Sequence, residues 1–164
     1  VCAAALTLPR LAVISSMRVQ DSLAAGVSFY MAELRRLKEI VDRADAQQAQ
    51  GGPLLLYLLD EILQGTNTAE RQIAARHIIS HLVGRGAIGA VSTHDLTLAD
   101  APELKRAARQ VYFTGHFTRG ADGPTMTFDY KLRPGIAVST NALKLMELVG
   151  LPVNDASEPL SADA

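Results

Sequence analysis

The run Leu54-Leu55-Leu56-Tyr57-Leu58-Leu59, followed at once by Asp60-Glu61, constrains this chain more than any other feature. It lacks the alternation of a half-exposed strand and is too short for a typical buried helix, so it reads as the central strand of a parallel sheet. It also falls far short of the roughly 20 apolar residues a membrane-spanning helix needs. Asp60 and Glu61 then emerge at the sheet's carboxyl edge, where open α/β sheets bind ligands. Two charges there are costly unless something uses them.

The flanking segments supply what such a strand needs. Leu6 to Ser15, rich in Leu, Val and Ile around Pro9, predicts an earlier strand, with the proline at its start or edge. Tyr30, Leu34, Leu37 and Val41 fall on one helical face, which predicts a helix from Phe29 to Ala46 with Ser28 as its N-cap. Gln47 to Pro53 (QQAQGGP) is a stop signal and a flexible connection. Thr68 can cap the next helix, whose apolar face includes Ala74, Ala75, Ile78, Ile79, Leu82 and Val83 and which ends at Gly84. Ala87 to Thr93 is a second buried strand, closing a strand-helix-strand unit with the expected right-handed crossover. The fold class is therefore α/β, a mostly parallel sheet flanked by helices.

Downstream, Gln110 to Thr118 and Pro124 to Leu132 predict an antiparallel hairpin about the turn Arg119 to Gly123, and Thr140 to Val149 a helix. From Asn154 the composition turns to Asp, Ser, Glu, Pro and Ala, and residues 153–164 read as a disordered tail.

Composition narrows the function classes. Apolar residues form 48% of the 164-residue chain, enough for a packed core, so a disordered class is excluded. Sixteen Lys and Arg against 17 Asp and Glu leave a net charge of -1, which lacks the positive excess of a nucleic-acid module, so any nucleic acid would be held elsewhere. Arg35-Arg36, Arg106, Arg109 and Arg133 read as a solvated face, without interleaved aromatics. The single cysteine, Cys2, excludes an intramolecular disulfide and a cysteine-based zinc site, and fits a reducing, cytoplasmic compartment. The opening VCAAALTLP has no basic leader, and the chain reads as cut from something longer.

Three elements carry candidate chemistry. Of two adjacent acids, one can help hold a hydrated magnesium ion while the other orients or deprotonates a water attacking a phosphate. His94 follows the second buried strand and so lies on the same edge, where an imidazole can stabilise developing charge. Gly26-Val27-Ser28 at a helix start offers a hydroxyl, free N–H groups and the positive end of a dipole to an anion. Each has a plain structural alternative: acids ending a strand, a satisfied histidine, a capped helix.

In order, Asp21-Ser22-Leu23-Ala24-Ala25-Gly26-Val27-Ser28-Phe29 with Glu33, then LLLYLLDEILQGTNT, then Ser92-Thr93-His94, resemble the ATPase domain of the MutS DNA mismatch-repair family, up to about Pro152. Phe128 to Gly135 with Asn141-Ala142-Leu143 resembles the segment that closes this domain, and is nearer to the shorter MutS-like relatives. The resemblance implies the C-terminal part of a P-loop NTPase domain of the ABC-ATPase-like kind over residues 1–152, with ATP and magnesium as cofactors. It implies Asp60 at the metal, Glu61 at the hydrolytic water and His94 at the γ-phosphate. Gly65, Thr66, Asn67 and Thr68 would form a loop facing a second subunit, and Gly26 and Ser28 would reach that partner's nucleotide. The parent would be a homodimeric ATPase coupling ATP to the binding of mismatched or branched DNA by regions outside this chain, with no membrane association.

One departure is severe: no GxxxxGK[ST] occurs in the 164 residues, so the loop that cradles the phosphates is missing and this piece alone is expected to be inactive. Two alternatives stand beside this reading, an ABC- or SMC-type ATPase segment and a non-catalytic α/β interaction module. A phosphate loop about 30 to 40 residues upstream of Val1 would favour an ATPase.

Overall fold

The structure is a computed structural model and describes residues 4–17, 29–64, 67–120, 123–137 and 142–151. The chain divides into two compact units, Val1–Ala108 and Arg109–Ala164.

The first unit is a mixed α/β layer. β1 (Leu11–Ser16), β2 (Leu54–Asp60) and β3 (Ile88–Ser92) form a sheet in the order β1-β2-β3. Both pairings are parallel, with Val13 opposite Leu56 and Leu56 opposite Ile88. The connections are α1 (Phe29–Gln50) and α2 (Thr68–Gly84), which also touch each other. The short helices α3 (Leu96–Ala99) and α4 (Pro102–Ala107) follow β3, and both contact α2.

The leucine run is the central strand, as its composition predicts, but its two faces differ. Leu55, Tyr57 and Leu59 are buried in one cluster with Leu37 and Ile40 of α1 and Ile79 and Leu82 of α2. Leu58 is 37% exposed, and its face carries exposed Val13 and Ile88. Continuous apolarity thus marks a strand with helices packed on one face among the described residues, where cover on both was the expectation. The strand expected to be buried over Ala87 to Thr93 spans Ile88–Ser92 and is largely exposed, since it is an edge strand of the sheet among the described residues.

Several local expectations need correction. The first strand begins at Leu11, past Pro9, whose missing N–H suits a position outside the ladder. α1 runs four residues beyond Ala46, because the glutamines of QQAQ are good helix formers. It stops where Gly51 takes φ +75°, with its N–H still donating to the Gln47 carbonyl at 2.9 Å. The buried stripe of α1 is Glu33, Leu37, Ile40 and Ala44, one position round from the expected face, and Tyr30, Leu34 and Val41 only flank it. The cap of α2 is Asn67, not Thr68: its Oδ1 accepts from the Glu70 N–H at 2.9 Å, and Thr68 is the first helical residue. Ser28 lies outside the described residues.

Near the C-terminal ends of α1 and α2, Asp45 receives His81 Nε2 at 2.9 Å and Arg85 Nε at 2.6 Å, which ties the two helices together. The hydrogen bond from His81, with Arg85 adding to it, lowers the Asp45 pKa.

In the second unit β5 (Gly115–Gly120) and β6 (Gly123–Phe128) form a hairpin as expected, but each strand is shorter than the runs Gln110 to Thr118 and Pro124 to Leu132 predicted, Val111–Tyr112 forming a separate strand and the second strand stopping at Phe128. The hairpin ladder continues through Arg119–Pro124 and Gly120–Gly123, so the connection is narrower than the five-residue turn expected. β4 (Val111–Tyr112) pairs antiparallel with β7 (Arg133–Pro134). Arg133 and the Lys131 amide hold the Asp129 carboxyl well below the usual carboxylate range. α5 (Ala142–Leu148) lies within the predicted helix. The expected tail, residues 153–164, lies outside the described residues.

Candidate functional site

Parallel register brings the ends of β2 and β3 to one edge, with Asp60 directly opposite Ser92. The Ser92 hydroxyl donates to Asp60 Oδ1 in a short hydrogen bond, and the Glu61 N–H donates to the Ser92 carbonyl at 3.2 Å. Two residues past the end of β3, His94 Nδ1 lies 2.7 Å from Glu61 Oε2. Gln64 Nε2 donates to the same oxygen at 2.8 Å. His94 is 72% exposed and Glu61 34%, so the pair faces solvent at the sheet edge. At that exposure its ionic attraction adds at most about 1 kcal/mol to stability; its interest is chemical.

The backbone presenting Glu61 is unusual. Glu61 has φ +49° and Leu63 φ +64°, left-handed conformations that cost a non-glycine residue roughly 1–2 kcal/mol each. The turn is held from beneath by Glu33, on the second turn of α1: its Oε1 accepts from the Leu63 N–H at 2.5 Å, and the Gln64 backbone N–H lies near enough to help lower its pKa. Glu33 is 4% exposed, and its Oε2 has no hydrogen-bond partner among the described residues. Desolvation raises its pKa, outweighing the two backbone N–H groups that lower it.

The His94 loop is fixed separately. Asp95 caps α3, accepting from the Thr97 N–H at 3.1 Å and the Leu98 N–H at 3.4 Å. It also accepts from Gln72 Nε2 of α2 at 2.9 Å and pairs with Arg71 at 3.5 Å. Burial opposes its ionisation, yet the donors Thr97, Gln72 and the Leu98 amide prevail and lower its pKa from 3.8 to about 2.

Of the residues singled out in the sequence, the structure brings Asp60, Glu61 and His94 together. Asn67 and Thr68 stand at the exposed start of α2. Gly26, Ser28, Gly65 and Thr66 lie outside the described residues. Ser92, Gln64, Asp95 and Gln72 were given no role by sequence reasoning, and Glu33 none beyond the resemblance. Register alone could have found Ser92, because a strand ending beside Asp60 must place some side chain against it.

The whole chain bears comparison with known proteins. Residues 1–161 match the family model of MutS domain V. The chain is 33% identical over 157 residues to the DNA mismatch repair protein MutS 2 of Haloarcula marismortui, covering 93% of this chain and 15% of that protein. It is 31% identical over 141 residues to the DNA mismatch repair protein MutS of Natronomonas pharaonis, covering 85% of this chain and 15% of that protein. It is 32% identical over 140 residues to the endonuclease MutS2 of Thermomicrobium roseum, covering 81% of this chain and 15% of that protein. The chain thus spans about 15% of the length of these curated relatives.

Proposed function

Since this chain belongs to the MutS family, whose domain V it matches over residues 1–161, we propose that it is the C-terminal part of a P-loop NTPase domain. In this reading the domain hydrolyses ATP within a homodimeric, cytoplasmic DNA repair protein. DNA would be bound by regions outside this chain, in keeping with its net charge of -1. Among the described residues no helix is long and apolar enough to cross a membrane. The observation that carries the reading is the 2.7 Å contact of Glu61 with His94 at the sheet edge that also bears Asp60.

The donor chemistry fits magnesium and nucleotide phosphate. Asp60 offers a hard carboxylate with one oxygen fixed by the Ser92 hydroxyl. No three His, Cys, Asp or Glu side chains form a cage among the described residues. Asp60 would therefore share the ion with phosphate oxygens and water, a usual arrangement for magnesium, whose charge offsets that of the phosphates. Glu61 commits Oε2 to His94 and Gln64, which leaves Oε1 to orient an attacking water and take its proton. His94, with Nδ1 committed to Glu61, would offer Nε2 to the γ-phosphate, where it could stabilise developing charge. Asn67 and Thr68 begin α2 beside Gly65 and Thr66, and these four would face the second subunit, while Gly26 and Ser28 would serve the partner's nucleotide.

The test is Glu61→Gln in the full-length protein. The amide keeps the shape but cannot take the proton, so ATP affinity should stay within about threefold while hydrolysis falls by roughly 100-fold or more. Undiminished single-turnover hydrolysis would move the base elsewhere, and the absence of ATP binding by the wild-type protein would favour an interaction module.

A further inference from the structure

The carboxylate of Glu33 has no part in that chemistry, and a core position 4% exposed is a costly place for an acid. An apolar side chain would pack there without desolvation. What Glu33 grips is the turn after β2, through the Leu63 N–H at 2.5 Å. That turn carries two left-handed non-glycine residues, Glu61 and Leu63. Resting on the reading of Glu61 as the water-activating base, we propose that Glu33 is a positioning residue whose buried carboxylate holds the Glu61–Gln64 turn in the strained form that presents Glu61 to His94.

Three features carry this. Left-handed backbone persists at non-glycine residues only where surrounding contacts over-determine it, and a buried side-chain oxygen that accepts from the turn's own amide is such a contact. Without that acceptor the buried Leu63 N–H loses its partner, and the turn gains by relaxing toward right-handed φ values. Relaxation at Glu61 redirects its Cα–Cβ bond, so its carboxylate leaves His94. His94 would not follow, because Asp95 anchors its loop to Gln72 and Arg71 of α2. Gln64, which donates to Glu61 Oε2 at 2.8 Å, belongs to the same turn and would shift with it. A single side chain therefore links α1 to the base, and a movement of α1 reaches Glu61 through it.

The experiment uses the full-length protein with Glu33→Met, which keeps the bulk and removes the acceptor, and Glu33→Gln, which keeps both. Hydrogen exchange followed by mass spectrometry on a peptide spanning residues 61–64 reads the turn directly, and steady-state hydrolysis reads its consequence. In Glu33→Met, exchange in the turn should speed about tenfold or more, and kcat should fall about tenfold at a KM within about threefold. In Glu33→Gln both should lie within about threefold of wild type. Unchanged protection of the turn in Glu33→Met overturns the proposal, as does a glutamine variant no better than the methionine one. Faster exchange with undiminished kcat upholds the grip of Glu33 on the turn and overturns instead the role of Glu61. Should Glu33→Met lose protection throughout residues 54–108, the glutamine variant decides: wild-type protection and kcat uphold the acceptor, and their loss refutes it.

Discussion

Replacing Gly89 with alanine would put a Cβ into space that Tyr57 already fills. Gly89 faces Tyr57 in the β2–β3 register. The new carbon would lie 2.3 Å from Tyr57 Cδ2, 2.4 Å from Cε2 and 2.3 Å from the Tyr57 carbonyl oxygen. Non-bonded carbons settle at about 3.5–4.0 Å, so more than 1 Å of movement is required. The ring cannot swing clear cheaply, being 5% exposed and packed in the core. The carbonyl is backbone of the central strand, so β3 itself has to shift. Overpacking costs typically about 1–3 kcal/mol, and a clash involving backbone puts this variant at about 3 kcal/mol. With a slope of about 1–3 kcal/mol per molar, the urea midpoint of the chain should fall by about 1–3 M. Displacing β3 also strains the bonds joining Ser92 to Asp60 and Glu61, so hydrolysis in the full-length protein should fall with stability. Gly84→Ala is the control: it ends α2 with nothing within 4 Å of its added carbon, and should be neutral or slightly stabilising. A Gly89→Ala midpoint within about 0.3 M of wild type would refute the packing argument.

Two further outcomes are expected. The Asp95 pKa is lowered from 3.8 to about 2 on folding, so its contribution is complete above about pH 4 and is lost as the pH falls through about 2. Asp95→Asn, which keeps a capping side chain, should therefore remove about 1–2 kcal/mol of stability at pH 6 and almost none near pH 2; urea midpoints displaced equally at both pH values would contradict this. In mixed dimers of the full-length protein, with Ser28→Ala on one subunit and Glu61→Gln on the other, about half the wild-type hydrolysis should remain if Ser28 completes the partner's site and the sites fire independently. Near-complete loss would place Ser28 in its own subunit's site.

What was legible in the sequence follows from which physical signals are local. The leucine run and the 3.6-residue pattern of α2 report burial directly, so the central strand, the helix after it and the strand beyond were all readable. Asp60, Glu61 and His94 were readable as neighbours because each ends or closely follows a strand of one parallel sheet, although β3 is largely exposed where a buried strand was expected. The face of α1 was misread by one position because an acid is ordinarily assigned to solvent, and only the strained turn supplies the reason to bury Glu33. The cap of α2 went to Asn67 over Thr68, a choice between two good capping side chains that depends on where the preceding turn delivers the chain. Gln64 escaped notice because its reach to Glu61 depends on the positive φ of Glu61 and Leu63, which no residue type there announces.

The candidate site is assembled from three independent supports, and this separates stability from chemistry. The β2–β3 ladder, with Gly89 against Tyr57, sets the distance between the two strand ends. Glu33 sets the direction of Glu61. Asp95, bound to α2, sets the His94 loop. A lesion in the ladder moves every group and should lower stability and hydrolysis together. Lesions at the other two supports leave the core cluster intact, since neither Glu33 nor Asp95 contributes apolar surface to it. Loss of the Glu33 acceptor should fall on the Glu61–His94 contact more than on global unfolding, with faster exchange confined to residues 61–64, whereas Asp95→Asn should also lower global stability and speed exchange most in the loop after β3. Uniform loss of protection from the Glu33 lesion would mean that the turn and the core are one cooperative unit, and the two effects would not separate.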